Sequence, residues 1–188
     1  RDLPTSPSSI TVSFDGIDFF VIFNTIVNEI PVKHKGTKKL GIDINNNIIE
    51  KLNLGIVHFK EPGLQNLIDT SIRNGMLKGY LSPQRGDVYI IVVPTPFKED
   101  KSGDISYIIK ATESIIPLLK KEDIFIIEST SPVGTTEEIY NLIISKRQDL
   151  KNEIYVSYCP ERVIPGNTLD ELVNNDRVVG GINEKSAE

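Results

Sequence analysis

Basic clusters, cysteine pairs and long apolar runs are all missing from this 188-residue chain, and each absence removes a class of protein. Lys and Arg number 21 against 26 Asp and Glu, scattered rather than grouped, for a net charge of -5. The chain therefore lacks the basic footprint that holds polyanions, and no nucleic acid is expected as a partner. One cysteine, Cys159, excludes an internal disulfide framework and fits a reducing compartment, with the cytoplasm as the default. The longest apolar candidate, residues 17–27, is interrupted by Asp18, Asn24 and Thr25, short of the ~18 apolar residues a membrane span needs. It also lacks the basic flank and small-residue cleavage site of a secretory signal. His34 and His58 have no partner at metal-ligand spacing, so no metal site is expected.

What is present fills one sizeable domain, or one domain and the start of another. The chain opens on Arg1 and ends at Glu188 shortly after a glycine pair, where another element should start, and so is expected to be a fragment. Residues 1–9, rich in Pro and Ser, are expected to lie outside any core. Residues 10–14 alternate weakly, and the apolar run at residues 19–23 has the pattern of a strand buried on both faces. Short strands are expected at residues 40–44, 77–81, 87–93, 124–127, 154–158 and 177–180. Between them lie helical patterns. Asn45 offers an N-cap for Ile48, Ile49 and Leu52, and residues 64–72 carry a second stripe. Asp104 precedes a long stripe ending near Pro117, and Thr135 with Glu138 has the spacing of a capping box.

Strands alternating with helices define an α/β domain with a doubly wound, mainly parallel sheet. Ligands of such sheets bind beyond the carboxyl ends of the strands, where strand order reverses. Asp43, Thr95, Ser129, Thr130 and Glu161 all fall at such ends. Asp43 has the position of an acid that hydrogen-bonds a ribose diol, or of an acid favoured by a helix dipole. Thr95, between Pro94 and Pro96, either faces the crevice or merely ends its strand. Residues 129–136 present hydroxyls and helix N-terminal amides to an anion or a ribose. Glu161 and Arg162 suit a general base beside an anion anchor, or a surface ion pair. No His lies near Cys159 and nothing adjacent would activate it, so a structural thiol is favoured over a nucleophile.

Three stretches carry a resemblance to a known family. They are Val93-Pro94-Thr95-Pro96-Phe97-Lys98, the run Glu128-Ser129-Thr130-Ser131-Pro132-Val133-Gly134-Thr135-Thr136-Glu137, and Tyr158-Cys159-Pro160-Glu161-Arg162-Val163-Ile164-Pro165-Gly166. With residues 175–181 after them, they resemble the nucleotide-sugar dehydrogenases that oxidise UDP-glucose, GDP-mannose or UDP-N-acetylmannosamine, the last branch most closely. The resemblance implies a Rossmann-like domain binding NAD, a UDP-sugar substrate, and a two-step oxidation of a primary alcohol to a carboxylate. It implies that Asp43, Thr95 and Thr136 bind the cofactor, that Arg162 and Val163 bind the substrate, and that Glu161 is catalytic in thioester hydrolysis. It also implies a homodimeric or larger parent enzyme of polysaccharide biosynthesis. The expected division is an atypical segment over residues 1–39, with one strand at most, and an NAD-binding domain over residues 40–188. The central helical and C-terminal domains of the family would lie beyond it.

One departure stands out. A dinucleotide-binding domain normally opens strand, Gly-x-Gly-x-x-Gly, helix, with its ribose acid ~20 residues further on. Counting back from Asp43 reaches residues 20–25, which hold no glycine, and Gly16 is alone. The domain is thus expected to be incomplete at its first strand-turn-helix. Side chains there would hinder close approach of a pyrophosphate. The isolated chain is accordingly expected to bind NAD weakly and to be inactive.

Overall fold

Alternation of apolar faces along each strand and apolar stripes along each helix produce an open sheet wrapped on both sides. The computed structural model describes residues 9–13 as backbone and, with side chains, residues 38–57, 62–161, 171 and 174–188. Its strands are β1 (Ser9–Ser13), β2 (Lys39–Asp43), β3 (Leu77–Tyr80), β4 (Val88–Ile91), β5 (Ile124–Ile127), β6 (Tyr155–Tyr158) and β7 (Gly180–Gly181). They lie in the order β3-β2-β1-β4-β5-β6-β7. The first six are parallel, and β7 runs antiparallel on β6. The chain builds outward from β1 to β3 and then returns to build from β4 to β6, so strand order reverses between β1 and β4.

Ser9–Ser13 therefore lies inside the sheet at the reversal point, in register with Lys39–Asp43 on one side and with residues 88–91 on the other. The strand that the pattern left in question is present, and it falls on the weakly alternating stretch. The continuous apolar run at residues 19–23 lies outside the described residues, as do residues 1–8, His34 and His58.

Five helices complete the described fold: α1 (Asn46–Asn53), α2 (Leu64–Arg73), α3 (Ser106–Ile115), α4 (Thr135–Lys146) and the short α5 (Glu184–Ala187). The Asn45 side chain accepts from the Asn47 amide and caps α1 as its position suggests. Gly55 and Gly75, both at positive φ, end α1 and α2. In each case the next amide reaches back to the third-last helical carbonyl, Ile56 to Lys51 and Met76 to Ser71. Pro117 stands in a 3-10 turn (Ile116–Leu118) that closes α3. The Thr135–Glu138 capping box does not form. Gly134 at φ 92° takes the cap position, Thr135 is already helical, and its hydroxyl donates back to the Pro132 carbonyl at 2.7 Å.

Burial divides along β4. Tyr89, Ile91 and Val93 pack with Phe125, Ile127 and Val156 against Ile108, Ile115, Ile139 and Ile143 of α3 and α4. Ile90 and Val92, on the opposite face, pack with Ile48, Leu52, Leu64 and Ile68 of α1 and α2. Each fully buried aliphatic side chain contributes about 1.5–3 kcal/mol against conformational entropy. At the edge strand β3, the Asn53 amide accepts from Gly79 N at 2.8 Å and donates to Gly79 O at 3.1 Å, occupying backbone groups that would otherwise invite another strand.

At the amino ends of the strands, Asp123 accepts from Arg85 and from the Lys120 amide, both at 2.8 Å. Burial pushes the Asp123 carboxyl above its usual range, further than those two donors pull it down. Burial pulls Arg85 down as well, but Asp123 and Tyr89 more than offset this and raise it. The partners differ because the carboxylate is 3% exposed and the guanidinium 33%, so desolvation decides only the first. Asp123 binds its proton more tightly folded than unfolded. The stability this group contributes is therefore present at low pH and lost as pH rises through its folded pKa. Relative to Asp123→Asn, the wild-type chain should gain stability as pH falls toward the ordinary aspartate range, measured by urea denaturation at each pH. A constant difference as pH falls would refute the assignment.

Candidate functional site

The carboxyl ends of β2, β4, β5 and β6 share one edge of the sheet, on either side of the reversal point. Asp43 ends β2 and is fully buried, beside the last residue of β1, with which it is in register. Its Oδ1 accepts from the Asn45 amide at 2.7 Å, which turns the chain into α1 and fixes the carboxylate at the crevice edge. On the other half, a cavity of about 140 Å³ opens beyond β4 and β5. Val92, Val93, Thr95, Glu128, Ser129, Thr130 and Glu161 line it.

Short-range chemistry shapes this cavity. The Ser129 hydroxyl accepts from Val93 N at 2.7 Å and donates to Ile91 O at 3.3 Å, tying the continuation of β5 to that of β4. Both the Glu128 and Ser129 amides donate to Ile91 O, so the two strand ends diverge together. Thr95 is held at the rim by a turn in which Asp104 N donates to Pro96 O at 2.8 Å and Phe97 pairs with Gly103. Thr136, half-buried in the first turn of α4, follows the same Ser129–Gly134 connection but is not among the lining residues above.

Arg177 organises the far wall. Its Nη1 lies 3.2 Å from Glu128 Oε1 and its Nη2 lies 3.2 Å from Glu161 Oε2, while Nη1 also donates to Cys159 Sγ at 3.8 Å. One guanidinium thus spans the ends of β5 and β6. The pattern reading expected a strand at residues 177–180. Instead the ladder begins at Gly180, because Arg177 precedes it and turns its side chain to the two carboxylates.

The structure thus brings Thr95 and Glu161 to one cavity and places Asp43 across β1 from it on the same edge. Arg162 and Val163 lie outside the described residues. Glu128 and Arg177 were missed as site residues. The signal for Glu128 was a charged residue directly after an apolar strand, where burial demands a partner. Arg177 carried no local signal. The polar groups fit a dinucleotide: a buried carboxylate to accept from a ribose diol on one half of the sheet, and hydroxyls and carboxylates around a cavity on the other. Among the described residues no group of three or more His, Cys, Asp or Glu is arranged to hold a metal ion, and no helix is long and apolar enough to cross a membrane.

Residues 25–188 match the NAD binding domain of the UDP-glucose/GDP-mannose dehydrogenase family. The chain is 43% identical over 160 residues to a UDP-N-acetyl-D-mannosamine dehydrogenase of Campylobacter jejuni, covering 80% of this chain and 39% of that protein. It is 41% identical over 157 residues to an NDP-N-acetyl-D-galactosaminuronic acid dehydrogenase of Ralstonia nicotianae, covering 79% and 37%. The structure of a UDP-N-acetyl-mannosamine dehydrogenase from Staphylococcus aureus superposes with a TM-score of 0.81 at 37% identity, over 95% of this chain and 42% of that one. The chain therefore spans about two fifths of the length of these relatives.

Proposed function

Since the chain belongs to the UDP-glucose/GDP-mannose dehydrogenase family through its NAD binding domain, we propose that it is the cofactor-binding part of an enzyme oxidising UDP-N-acetylmannosamine to its uronic acid. The observation that carries this reading is the placement of Asp43, Thr95 and Glu161 at strand ends flanking the reversal point of a parallel sheet. Asp43 would hold the adenosine ribose of NAD, accepting from its hydroxyls. Thr95, at the cavity rim, and Thr136, in the first turn of α4, would hold the other half. Bound NAD supplies the hydride acceptor. Glu161, oriented by Arg177, would direct water in the hydrolytic step, and Arg162 with Val163 would contact the sugar nucleotide. Parts of the relatives that this chain does not span would complete the chemistry, and Cys159, hydrogen-bonded to Arg177, is not proposed as a nucleophile.

The identity of the sugar has other readings. Similarity to the Ralstonia enzyme is nearly equal to that with the Campylobacter one, so an NDP-linked N-acetylgalactosamine sugar is an alternative substrate, beside the UDP-glucose and GDP-mannose of the wider family.

Titration calorimetry with NAD tests the assignment of Asp43. Asp43→Asn keeps an acceptor for the Asn45 amide but gives up the charge, so binding by the 188-residue chain should weaken about tenfold or more with little change in stability. Unchanged affinity would remove Asp43 from the cofactor site. Addition of UDP-N-acetylmannosamine and NAD to this chain should yield no steady NADH formation, and sustained turnover would overturn that part of the proposal.

A further inference from the structure

Beyond Ile91 the sheet opens. β4 pairs with β1 and with β5 only as far as Ile91, so residues 92–96 run on past the last rung of either ladder. Val93 is 3% exposed, and an amide out of reach of water needs an acceptor from the protein. Pro94 and Pro96 have no N–H, which leaves Val93 and Thr95 as the backbone donors of residues 93–96. The acceptor for Val93 is a side chain of the neighbouring connection, Ser129 Oγ at 2.7 Å. Ser129 is 6% exposed and is fixed from behind, its amide donating to Ile91 O at 3.2 Å and its hydroxyl to the same oxygen at 3.3 Å. One hydroxyl therefore stands where a ladder carbonyl would. A continued ladder would hold the two backbones ~4.8 Å apart, with no room for a ligand group between them. A side-chain tether joins them while the strands diverge around the cavity.

Resting on the reading of this edge as an NAD site, we propose that Ser129 is a positioning residue for the cofactor, which acts through the Val93 amide to fix where Thr95 stands at the cavity rim. The link is short and stiff. Thr95 lies two residues beyond Val93, between prolines that fix their own φ and hold the preceding residue extended. On its far side the Pro96 carbonyl accepts from Asp104 N at 2.8 Å, before α3 begins. Thr95 is thus tied at both ends, once to the connection after β5 and once to the approach to α3. Loss of the Ser129 hydroxyl would leave the Val93 amide buried without its acceptor, so residues 93–96 must shift toward water or another acceptor and carry Thr95 with them. The hydrogen bonds of Ser129 run to the end of β4, whereas Asp43, on the adenosine half, is fixed by the Asn45 amide on the other side of β1. The effect is therefore confined to one half of the cofactor.

The experiment titrates NAD+, and AMP as a probe of the adenosine half alone, into the 188-residue chain, with Kd read by NMR into the millimolar range. Ser129→Ala should weaken NAD+ by about tenfold and leave AMP within about twofold. Ser129→Cys fills nearly the same space with a poor acceptor and should weaken NAD+ in the same selective way, which covers the case in which Ser129→Ala does not fold. Thr95→Val removes the hydroxyl that Ser129 places, and should itself weaken NAD+ by about tenfold. Ser129→Ala added to Thr95→Val should then cost less than about twofold more, because a positioning residue has no effect once its target is gone. A merely structural serine would not show this coupling. Losses that multiply in the double variant, unchanged NAD+ affinity in the Ser129 variants, or AMP falling in step with NAD+ would each overturn the positioning role while leaving the cofactor site standing. Unchanged NAD+ affinity in Thr95→Val would remove Thr95 from the site and the role of Ser129 with it. Absence of binding by both ligands overturns the cofactor site itself.

Discussion

Arg177→Met should destabilise the chain by about 3–5 kcal/mol, because it removes the guanidinium facing a carboxylate that folding has taken out of water. Glu128 is 1% exposed and Glu161 11%, while Arg177 itself is 22% exposed. Distance alone would rank this cluster low. Lys146 and Glu113 approach to 2.6 Å, closer than either 3.2 Å contact of Arg177, yet they are 47% and 45% exposed. A pair in that position contributes roughly 0–1 kcal/mol, since water already solvates both ions. Burial, and not length, decides. The size of the loss should depend on the charge left behind, so Glu128→Gln introduced into the Arg177→Met chain should recover part of it. Urea denaturation of the single and double variants reads this directly. A loss below ~1 kcal/mol for Arg177→Met would show that Glu128 is satisfied without it.

The same cluster marks the boundary of what the sequence reveals. β4 is legible because a strand buried on both faces must be apolar throughout, and residues 88–93 are, while β5 is legible because residues 124–127 are all β-favouring and apolar even though Ile124 is exposed. The ends of α1 and α2 are legible because Asn45, Gly55 and Gly75 supply backbone chemistry that few other residues can. Once those strands are taken as parallel, the positions of Asp43, Thr95 and Glu161 at one edge follow from topology. What fails is anything set by competition or by distance along the chain. Thr135 and Glu138 have the spacing of a capping box, but Gly134, two residues after Pro132, enters the left-handed region and moves the helix start by one residue. Ser9–Ser13 alternates only weakly, and pairing with both β2 and β4 is what places it between them. Arg177 meets Glu128 across 49 residues of sequence, a separation that no local spacing announces.

Gly181→Ala should cost about 1–3 kcal/mol, by a different route that acts on one corner of the fold. A Cβ at Gly181 would stand 2.5 Å from Ala187 N, 2.5 Å from Ser186 C and 2.7 Å from Asn183 O. All three are backbone atoms, so no side-chain rotation relieves the overlap, and either β7 or α5 must move. β7 is anchored to β6 through the pairs Ser157↔Gly181 and Tyr158↔Gly180, with Ile182 N donating to Val156 O at 2.9 Å. The short α5 is held by its Asn183 cap, which accepts from Ser186 N and Oγ at 3.0 Å, and by Lys185 over the Tyr155 ring at 4.7 Å. An isolated helix of four residues has no stability of its own, so α5 yields and β7 stays. The signature is local. Hydrogen exchange at the Ser186 amide should accelerate by about tenfold or more, while amides of β4 and β5 change only in step with global stability. Gly180 is the control one residue away, since a Cβ there meets nothing within 4 Å, and Gly180→Ala should leave Ser186 protected. Equal loss of protection across β6, β7 and α5 in Gly181→Ala would mean that the antiparallel strand, and not the helix, gives way.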